Sequence, residues 1–432
     1  MKIQIYDTTL RDGTQSEGFT LSSNDKVRIA QKLDELGVAF IEGGWPGSNP
    51  KDVEFFERAR DMQWRNSLIT AFGSTCRVKG GPEDDVNIKA LLDSQTPVCT
   101  IFGKTWTLHV REVLLTTCED NLRIIEQSVA YLKASGKRVI YDAEHFFDGY
   151  KADSSYALET LEAAIRGGAE TVVLCDTNGG TLPWEAESIV RALKPRLNHP
   201  FGIHTHNDSE CAVINSLIGV REGAIQVQGT INGVGERCGN ANLCSIMADL
   251  ELKMGYQCLP KGNIQYLYDL SHFVAEVANI TPDEHLPFVG KSAFAHKGGV
   301  HVAAMRRSAQ SYQHVEPESV GNRMRVVVSD LSGRGNLLSK AEEHGVEVES
   351  EEVLPVLNEI KELESRGFSF EAAEASVAMM LKRQEYGYKP PFELIDFFVN
   401  VEHRDKRGIF AEAMVKVRVQ GEVLHTAAEG NG

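Results

Sequence analysis

The first 255 residues alternate between short apolar runs and amphipathic stretches. The apolar runs lie at residues 2–6, 38–42, 68–72, 98–102, 139–142, 171–175, 201–204 and 224–228. Their Val, Ile and aromatic content is typical of buried parallel strands. Between them, residues 24–36, 120–134, 154–166, 185–193 and 211–221 have the apolar spacing of helices. Eight strands alternating with helices predict either a closed (β/α)8 barrel (a TIM barrel) or a large doubly wound sheet, and the count of eight favours the barrel.

The alternation stops beyond about residue 280. Residues 281–335 are mixed, 339–366 and 370–384 predict two helices, and 392–400 and 409–418 predict two strands. The sequence therefore predicts an α/β protein in three parts. These are a catalytic barrel at 1–280, a mainly helical linker at 281–390 and a β-containing C-terminal segment at 391–432.

Composition narrows the class of protein. Hydrophobic residues make up 42% and charged residues 25%, which is ordinary for a globular chain. The net charge of −16 argues against a nucleic-acid partner, which would need basic patches. No apolar run approaches the ~18 residues of a membrane span, and the chain starts without a signal-peptide layout. With eight cysteines and no C-x-x-C pair, we expect a cytoplasmic protein with reduced thiols and no membrane partner.

Polar and glycine-rich clusters follow the carboxyl ends of six of the eight predicted strands. They lie at residues 7–13, 42–47, 144–145, 176–180, 204–208 and 232–237. Barrel enzymes build their active sites from the loops at that end of the barrel. The distribution therefore predicts an enzyme.

The H-x-H pair His204 and His206 ends the seventh predicted strand. Residues two apart on a strand point to the same side, so both imidazoles would face the barrel mouth and bind one metal ion. Asp7 and Asp12, after the first strand, are both candidates for a third ligand, and spacing does not choose between them. Imidazole, carboxylate and amide ligands favour Mn²⁺ or Mg²⁺, with Zn²⁺ or Co²⁺ as alternatives.

Two further charged residues are candidates for catalysis at the same rim. Arg11 is a permanent cation suited to a developing oxyanion or a substrate carboxylate. Glu144 ends the fifth strand and is placed for acid–base work or for orienting a ligand. For each, the alternative is a structural salt bridge, in the case of Arg11 to Asp7 or Glu42.

Three motifs together carry a family resemblance. Residues 7–15 (DTTLRDGTQ), 204–208 (HTHND) and 235–241 (GERCGNA) resemble the 2-isopropylmalate, homocitrate and citramalate synthase family. These are metal-dependent barrel enzymes that carry out Claisen condensations with acetyl-CoA as co-substrate. Residues 41–50, 141–149 and 296–301 are most similar to the citramalate synthases of that family. The resemblance implies an acyltransferase that condenses acetyl-CoA with pyruvate to (R)-citramalate, a route toward isoleucine.

The resemblance also implies roles for individual residues. The expected metal ligands are Asp12, His204, His206 and Asn240. Arg11, Gln15 and Thr177 are expected to bind the 2-oxo acid, and Arg11, Glu144 and His296 to act in catalysis. In this family the histidine matched by His296 reaches the neighbouring subunit's active site, so the resemblance implies a homodimer with shared sites.

Several alternatives stay open at this stage. Around Glu144 the sequence departs from the isopropylmalate synthase pattern, because Asp142 and His145 replace the usual neighbours. The choice of 2-oxo acid therefore stays open, and the alternatives to a citramalate synthase are a 2-isopropylmalate synthase or a homocitrate synthase. A metal-dependent aldolase or lyase shares the aspartate–arginine and H-x-H elements. A non-catalytic, metal-dependent sensor on a retained barrel is disfavoured by the intact set of polar residues.

The C-terminal segment resembles the opening of the regulatory domain carried by long synthases of this family. Because two strands alone are marginally stable, we expect a domain cut short, with poor order or edges that pair with a neighbour. Inhibition by isoleucine is then not expected.

Overall fold

The computed structural model describes residues 2–305, 307–404 and 408–430, so the outermost ends of the predicted parts 1–280 and 391–432 lie outside the described residues. The chain divides into two compact units, residues 1–295 with 313–325 and residues 296–312 with 326–432. The predicted three-part division at 280 and 390 stays a prediction. In the part of the chain that is described, no helix is long and apolar enough to cross a membrane.

The first unit contains a closed, parallel eight-stranded barrel, as the alternation predicts. Its strands are β1 (Gln4–Asp7), β2 (Phe40–Gly44), β3 (Leu68–Ser74), β4 (Val98–Lys104), β5 (Arg138–Glu144), β6 (Thr171–Asp176), β7 (Phe201–Thr205) and β8 (Gln226–Gly229). The ring closes where β1 pairs in parallel with β8, with Tyr6 opposite Gln228 and Asp7 opposite Gly229. The doubly wound sheet is thereby excluded.

Helices surround the barrel and bury their apolar faces on it. They are α1 (Ser23–Leu36), α2 (Pro50–Arg60), α3 (Val86–Asp93), α4 (Thr107–Glu112), α5 (Cys118–Ala134), α6 (Phe146–Ala152), α7 (Ser154–Gly167), α8 (Pro183–Leu193), α9 (Ala212–Glu222), α10 (Leu243–Ala248) and α11 (Leu267–Val277). In α1 the start is fixed by a capping box, in which Ser22 Oγ accepts from the Asp25 backbone N–H and the Asp25 carboxylate accepts from that of Ser22. Gly37, at φ 98°, ends the helix in the left-handed region.

The second unit is mainly helical and then β-stranded. Its helices are α12 (Gly299–Met305), α13 (Arg334–Glu343), α14 (Val353–Ser365) and α15 (Glu374–Lys382), and the last three share a small apolar core. Two short strands, β9 (Ala295–His296) and β10 (Arg325–Val326), pair with each other, and each has its first residue in the first unit and its second residue in the second unit. Strands β11 (Glu393–Arg404), β12 (Gly408–Val419) and β13 (Glu422–Gly430) form an antiparallel sheet.

Two predictions about this region are wrong in detail. The single helix expected at 339–366 is two helices, α13 and α14, because the chain turns through Gly345 at φ 63°. The C-terminal segment has three strands rather than two. The third, β13, has the sequence EVLHTAAEG, whose two alanines and glycine gave little strand signal.

Candidate active site at the carboxyl ends of the barrel strands

The loop after β1 is folded so that Asp12, and not Asp7, enters the mouth of the barrel. The carbonyl of Thr8 accepts from the backbone N–H groups of Arg11, Asp12 and Gly13 at 2.9–3.1 Å, which curls the loop into a tight turn. The Asp7 carboxylate is engaged within this turn, accepting from the Thr9 backbone at 3.0 Å and the Thr9 hydroxyl at 2.8 Å. Of the two aspartates that spacing left open, Asp12 is therefore the one that lies beside the histidines, and its role as a ligand stays a prediction.

Asp12 meets the two histidines of β7 in a compact cluster. The Nε2 atoms of His204 and His206 lie 3.2 Å apart, and Asp12 Oδ2 lies 3.5 Å and 3.9 Å from them. These are the three described residues whose ligand atoms come together as a metal site would require. All three side chains are buried.

The loop after β8 delivers Asn240 to the same cluster, and its glycines make this placement feasible. Gly239 has a φ of 93°, and a Cβ there would lie 2.1 Å from the carbonyl oxygen of Gly233. A Cβ on Gly235 would lie 2.2 Å from Nδ2 of Asn240. The GERCGN motif thus needs glycine at two points so that Asn240 can pack beside Asp12.

The donor set fits a divalent cation. Nδ1 of the buried His206 has no hydrogen-bond partner within the described chain. The buried Asn240 amide makes no well-formed hydrogen bond there either, although it lies close enough to Asp12 to help lower the pKa of that carboxyl group. Buried polar groups are rarely left unpaired without a reason. Carboxylate, imidazole and amide oxygen together are ligands of hard to borderline cations.

The site also holds the protonation states that a metal needs. Burial, and next the neighbouring His204, lower the pKa of His206 to about 4, and burial lowers that of His204 as well. Burial alone would raise the pKa of Asp12, but Arg11 and the two imidazoles outweigh it and hold the pKa below its usual range. Near neutral pH the imidazoles are therefore neutral and the carboxylate is ionised.

Arg11 is held rigidly against the wall of the mouth. Its Nε donates to Glu42 Oε2 at 2.6 Å, and Nη1 lies 3.4 Å from Asp12 Oδ1. The guanidinium stacks on the Phe72 ring at 3.6 Å from the ring centre. The salt bridge to Glu42 is thus real, yet Arg11 still lines the open pocket, so the structural and functional interpretations are compatible.

Glu144 and Thr177 face the same pocket from β5 and β6. Glu144 forms an ion pair with Lys104 of β4, and its side chain keeps 22% of its surface exposed. Thr177 Oγ1 accepts from the His145 backbone N–H at 2.9 Å, which ties the loop after β5 to that after β6. Gln15 also lines the pocket.

The pocket is small and partly aromatic. Its volume is about 170 Å³, below the ~300–1,000 Å³ of pockets that take drug-sized ligands. Trp45 lies edge-on to Phe72 and Phe102, with ring centres 5.6 Å apart in both cases, and those two rings stack at 5.5 Å. Such a pocket suits a small, polar substrate with a short apolar end.

Trp45 is fixed by contacts behind the pocket. Its indole Nε1 donates to Asn87 Oδ1 at 2.7 Å, and its backbone N–H donates to Asp52 Oδ2 at 2.8 Å. Asp52 is in turn paired with the buried Lys26, whose Nζ also donates to the Gly43 carbonyl at 3.1 Å. The orientation of the indole is therefore determined from outside the site.

His296 is the one predicted site residue that lies in the second unit. It is in β9, and its ring is 6.4 Å from that of His301, which stacks at 4.3 Å on Tyr312. Burial, and then His301, lower its pKa. Its role stays a prediction.

The sequence analysis did not single out Lys104 or Gln228, and it named Asp142 only as a neighbour of Glu144. Asp142 lies two residues before Glu144, and Gln228 ends an alternation with Gln226, so the two-residue period of a strand placed them on the inner face. That signal was present in the sequence. The sequence did not show which of the inward-facing residues form hydrogen bonds with one another.

Comparisons with known proteins cover the whole chain. Residues 2–274 match the HMGL-like family model, and residues 288–367 match the model described as homocitrate synthase post-HMGL domain-like. The chain is 54% identical over 434 residues to the (R)-citramalate synthase of Geobacter sulfurreducens, covering 100% of this chain and 82% of that protein. It is 51% identical to the (R)-citramalate synthase of Aquifex aeolicus, again covering 100% and 82%.

Solved structures agree on the barrel. The HMG-CoA lyase of Bacillus subtilis superimposes with a TM-score of 0.55 at 18% identity, covering 65% of this chain and 95% of that one. At that identity the likeness shows a shared fold.

Proposed function

The chain belongs to the HMGL-like family, in the citramalate synthase branch of the 2-isopropylmalate and homocitrate synthases, and we propose from this premise how it makes (R)-citramalate. It is an enzyme that condenses acetyl-CoA with pyruvate and releases CoA. The observation that carries the proposal is the convergence of Asp12, His204 and His206 beside Arg11 at one barrel mouth.

Enzymes of this family use a divalent metal. We assign the cation to Asp12, His204, His206 and Asn240, and we take Mn²⁺ or Mg²⁺ as the working ion, with Zn²⁺ or Co²⁺ as alternatives. The unpaired atoms of Asn240 and His206 support this assignment. When bound, the ion supplies Lewis-acid polarisation of the 2-oxo acid.

The residues around the cation hold pyruvate and the charge that develops on it. Arg11, fixed by Glu42 and Phe72, directs a permanent positive charge at the carbonyl oxygen as it becomes an alkoxide. Gln15 and Thr177 bind the oxo acid from either side of the mouth. The rings of Trp45, Phe72 and Phe102 pack against its methyl group.

The condensation needs a base for acetyl-CoA. We propose His296, assisted by Glu144, as the base that removes a proton from the acetyl methyl group. The enolate carbon then forms a bond to C2 of pyruvate, the carbonyl electron pair becomes the alkoxide, and the alkoxide takes up a proton. Water then cleaves the thioester, which gives the free carboxylate and the CoA thiol and makes the reaction irreversible.

We further propose that the protein works in the cytoplasm as a homodimer, with His296 acting in the partner's barrel, in a pathway toward isoleucine. The cellular proposal is supported by eight cysteines that are all unpaired.

The deciding experiment is a thiol-release assay with acetyl-CoA and a panel of 2-oxo acids, with the stereochemistry of the product determined. We expect pyruvate to be preferred, with some turnover of 2-oxobutyrate, because one methylene is discriminated by only ~1–3 kcal/mol. Chelation should abolish turnover, and Mn²⁺ or Mg²⁺ should restore it. An equal kcat/KM for 2-oxoisovalerate would reassign the enzyme to isopropylmalate synthesis, and full activity in rigorously metal-free protein would refute the metal assignment.

A further inference from the structure

Gln228 joins three strands at the base of the metal cluster. It lies on β8 in register with His204 of β7, and it is completely buried. Its Oε1 is 2.9 Å from Nδ1 of His204, and its Nε2 donates to Oδ1 of Asp142 on β5 at 3.0 Å. The amide therefore bridges a predicted metal ligand and a buried acid on the far side of the barrel.

The two ends of this amide are chemically different, so the bond to Asp142 decides what His204 meets. An amide NH₂ group donates and an amide oxygen accepts. Asp142 Oδ1 accepts from this NH₂ group, so a proton on the acid is on its other oxygen, Oδ2. With the NH₂ group turned toward Asp142, Oε1 of Gln228 is turned toward His204. An acceptor at that point requires the imidazole proton to be on Nδ1, which leaves the lone pair on Nε2.

The Nε2 atom is the one that faces the cluster. It lies 3.2 Å from Nε2 of His206 and 3.5 Å from Asp12 Oδ2. A second hydrogen bond on the remote nitrogen is the usual means by which a protein fixes the tautomer and ring plane of a metal-binding histidine. We propose that Gln228, oriented by Asp142, is a positioning residue that sets the tautomer and direction of His204 for metal binding.

This proposal rests on the metal-dependent function proposed above. It adds Gln228 and Asp142, which lie outside the three motifs at residues 7–15, 204–208 and 235–241. The proposal also assigns different roles to the two glutamines of β8, Gln226 and Gln228. Gln226 is equally buried and lies two residues earlier on the same inner face, but among the described residues its Nε2 donates to Gln4 Oε1 alone, at 3.4 Å. Gln226 is therefore a matched control for loss of a buried amide.

The experiment measures the dissociation constant of Mn²⁺ from metal-free protein, by the electron paramagnetic resonance signal of free Mn²⁺. We expect Gln228→Met to weaken binding by ~10–100-fold, the range seen when such outer partners are removed. Gln226→Met should bind as the wild type does. Gln228→Glu keeps an acceptor oxygen for Nδ1 of His204, so it should recover most of the affinity.

The outcomes separate this inference from its premise. Wild-type affinity in Gln228→Met, or an equal loss in Gln226→Met, would overturn the positioning role. If His204→Ala binds Mn²⁺ as tightly as the wild type, the metal site itself is wrong. Should Gln228→Met not yield folded protein, as judged by thermal unfolding, Gln228→Asn takes its place, because it is one methylene too short to reach both partners and should lose at least ~10-fold.

Discussion

At the scale of single residues, the barrel interior carries two acids whose pKa values burial raises to near or above neutral. Burial raises the pKa of Asp7 from 3.8 to about 7, against hydrogen bonds from Thr9 that oppose the shift. Burial, and next the charge of Glu42, raise the pKa of Asp142 to about 8. Such groups bind protons more tightly in the folded chain than in the unfolded one.

The sign of the resulting pH dependence follows from linkage. The stabilisation from protonated Asp7 is fully present below its unfolded pKa and is lost as pH rises toward about 7. We expect Asp7→Asn to remove this dependence, so that its free energy of unfolding improves relative to wild type between pH 5 and pH 8 by about 3 kcal/mol, the share of the shift that falls between those two pH values. Urea unfolding of metal-free protein at the two pH values measures it. A difference between the two proteins that does not change with pH would contradict the raised pKa.

Trp45 and Asn87 offer a second prediction at this scale. Asn87→Leu removes the acceptor for the indole N–H and frees the ring that closes the pocket. We expect kcat/KM for 2-oxobutyrate to rise relative to pyruvate by up to about 10-fold, since a methylene is worth ~1–3 kcal/mol. Asn87→Asp keeps an acceptor oxygen and should keep the wild-type ratio. If Asn87→Leu lowers the overall rate but leaves the ratio of kcat/KM for 2-oxobutyrate to that for pyruvate unchanged, Asn87 does not set substrate choice through Trp45.

At the scale of elements, the sequence predicted the eight strands from their continuous apolar runs and five of the helices around the barrel from their helical periodicity. It also placed the polar clusters at the strand ends. It did not contain the curl of the loop after β1, which separates Asp12 from Asp7 through hydrogen bonds to one carbonyl, that of Thr8. Long-range partners such as Asp142 for Gln228 depend on barrel register, which a local pattern does not specify.

The loop after β8 supplies a prediction about an element. Gly235→Ala would drive a Cβ to 2.2 Å from Asn240 Nδ2, so the amide must move out of the cluster. We expect kcat to fall at least ~10-fold and Mn²⁺ affinity to weaken, and a thermal unfolding scan checks that the variant is folded. Gly180→Ala is the control, because a Cβ there meets nothing within 4 Å and its φ is not in the left-handed region. Wild-type kinetics in Gly235→Ala would show that Asn240 is not needed in its present position.

At the scale of the whole molecule, the proposed homodimer with shared active sites can be tested by mixing two inactive variants. If His296 acts in the partner's barrel, mixing inactive Asp12→Ala and His296→Ala proteins should recover activity. Half of the chains pair as heterodimers after random exchange, and one of the two sites in each keeps both residues, which sets the expected recovery at about one quarter of wild type.

The control is a mixture of Asp12→Ala with His204→Ala, whose lesions fall on the same barrel mouth. In each heterodimer both barrels are then damaged, so no activity should return. Failure of the first mixture after exchange has been verified by native mass spectrometry would place His296 outside the partner's site.

The seam of the barrel has a consequence for how the molecule folds. Asp12 follows β1, whereas His204 and Asn240 belong to β7 and the loop after β8, about 190 residues or more further along the chain. These proposed ligands become neighbours only when β1 pairs with β8. Formation of a tight Mn²⁺ site during refolding is therefore a kinetic marker of ring closure, a late, non-local event with a large cost in chain entropy. An intermediate that has gained its helices but still binds Mn²⁺ weakly would be a barrel that has not yet closed.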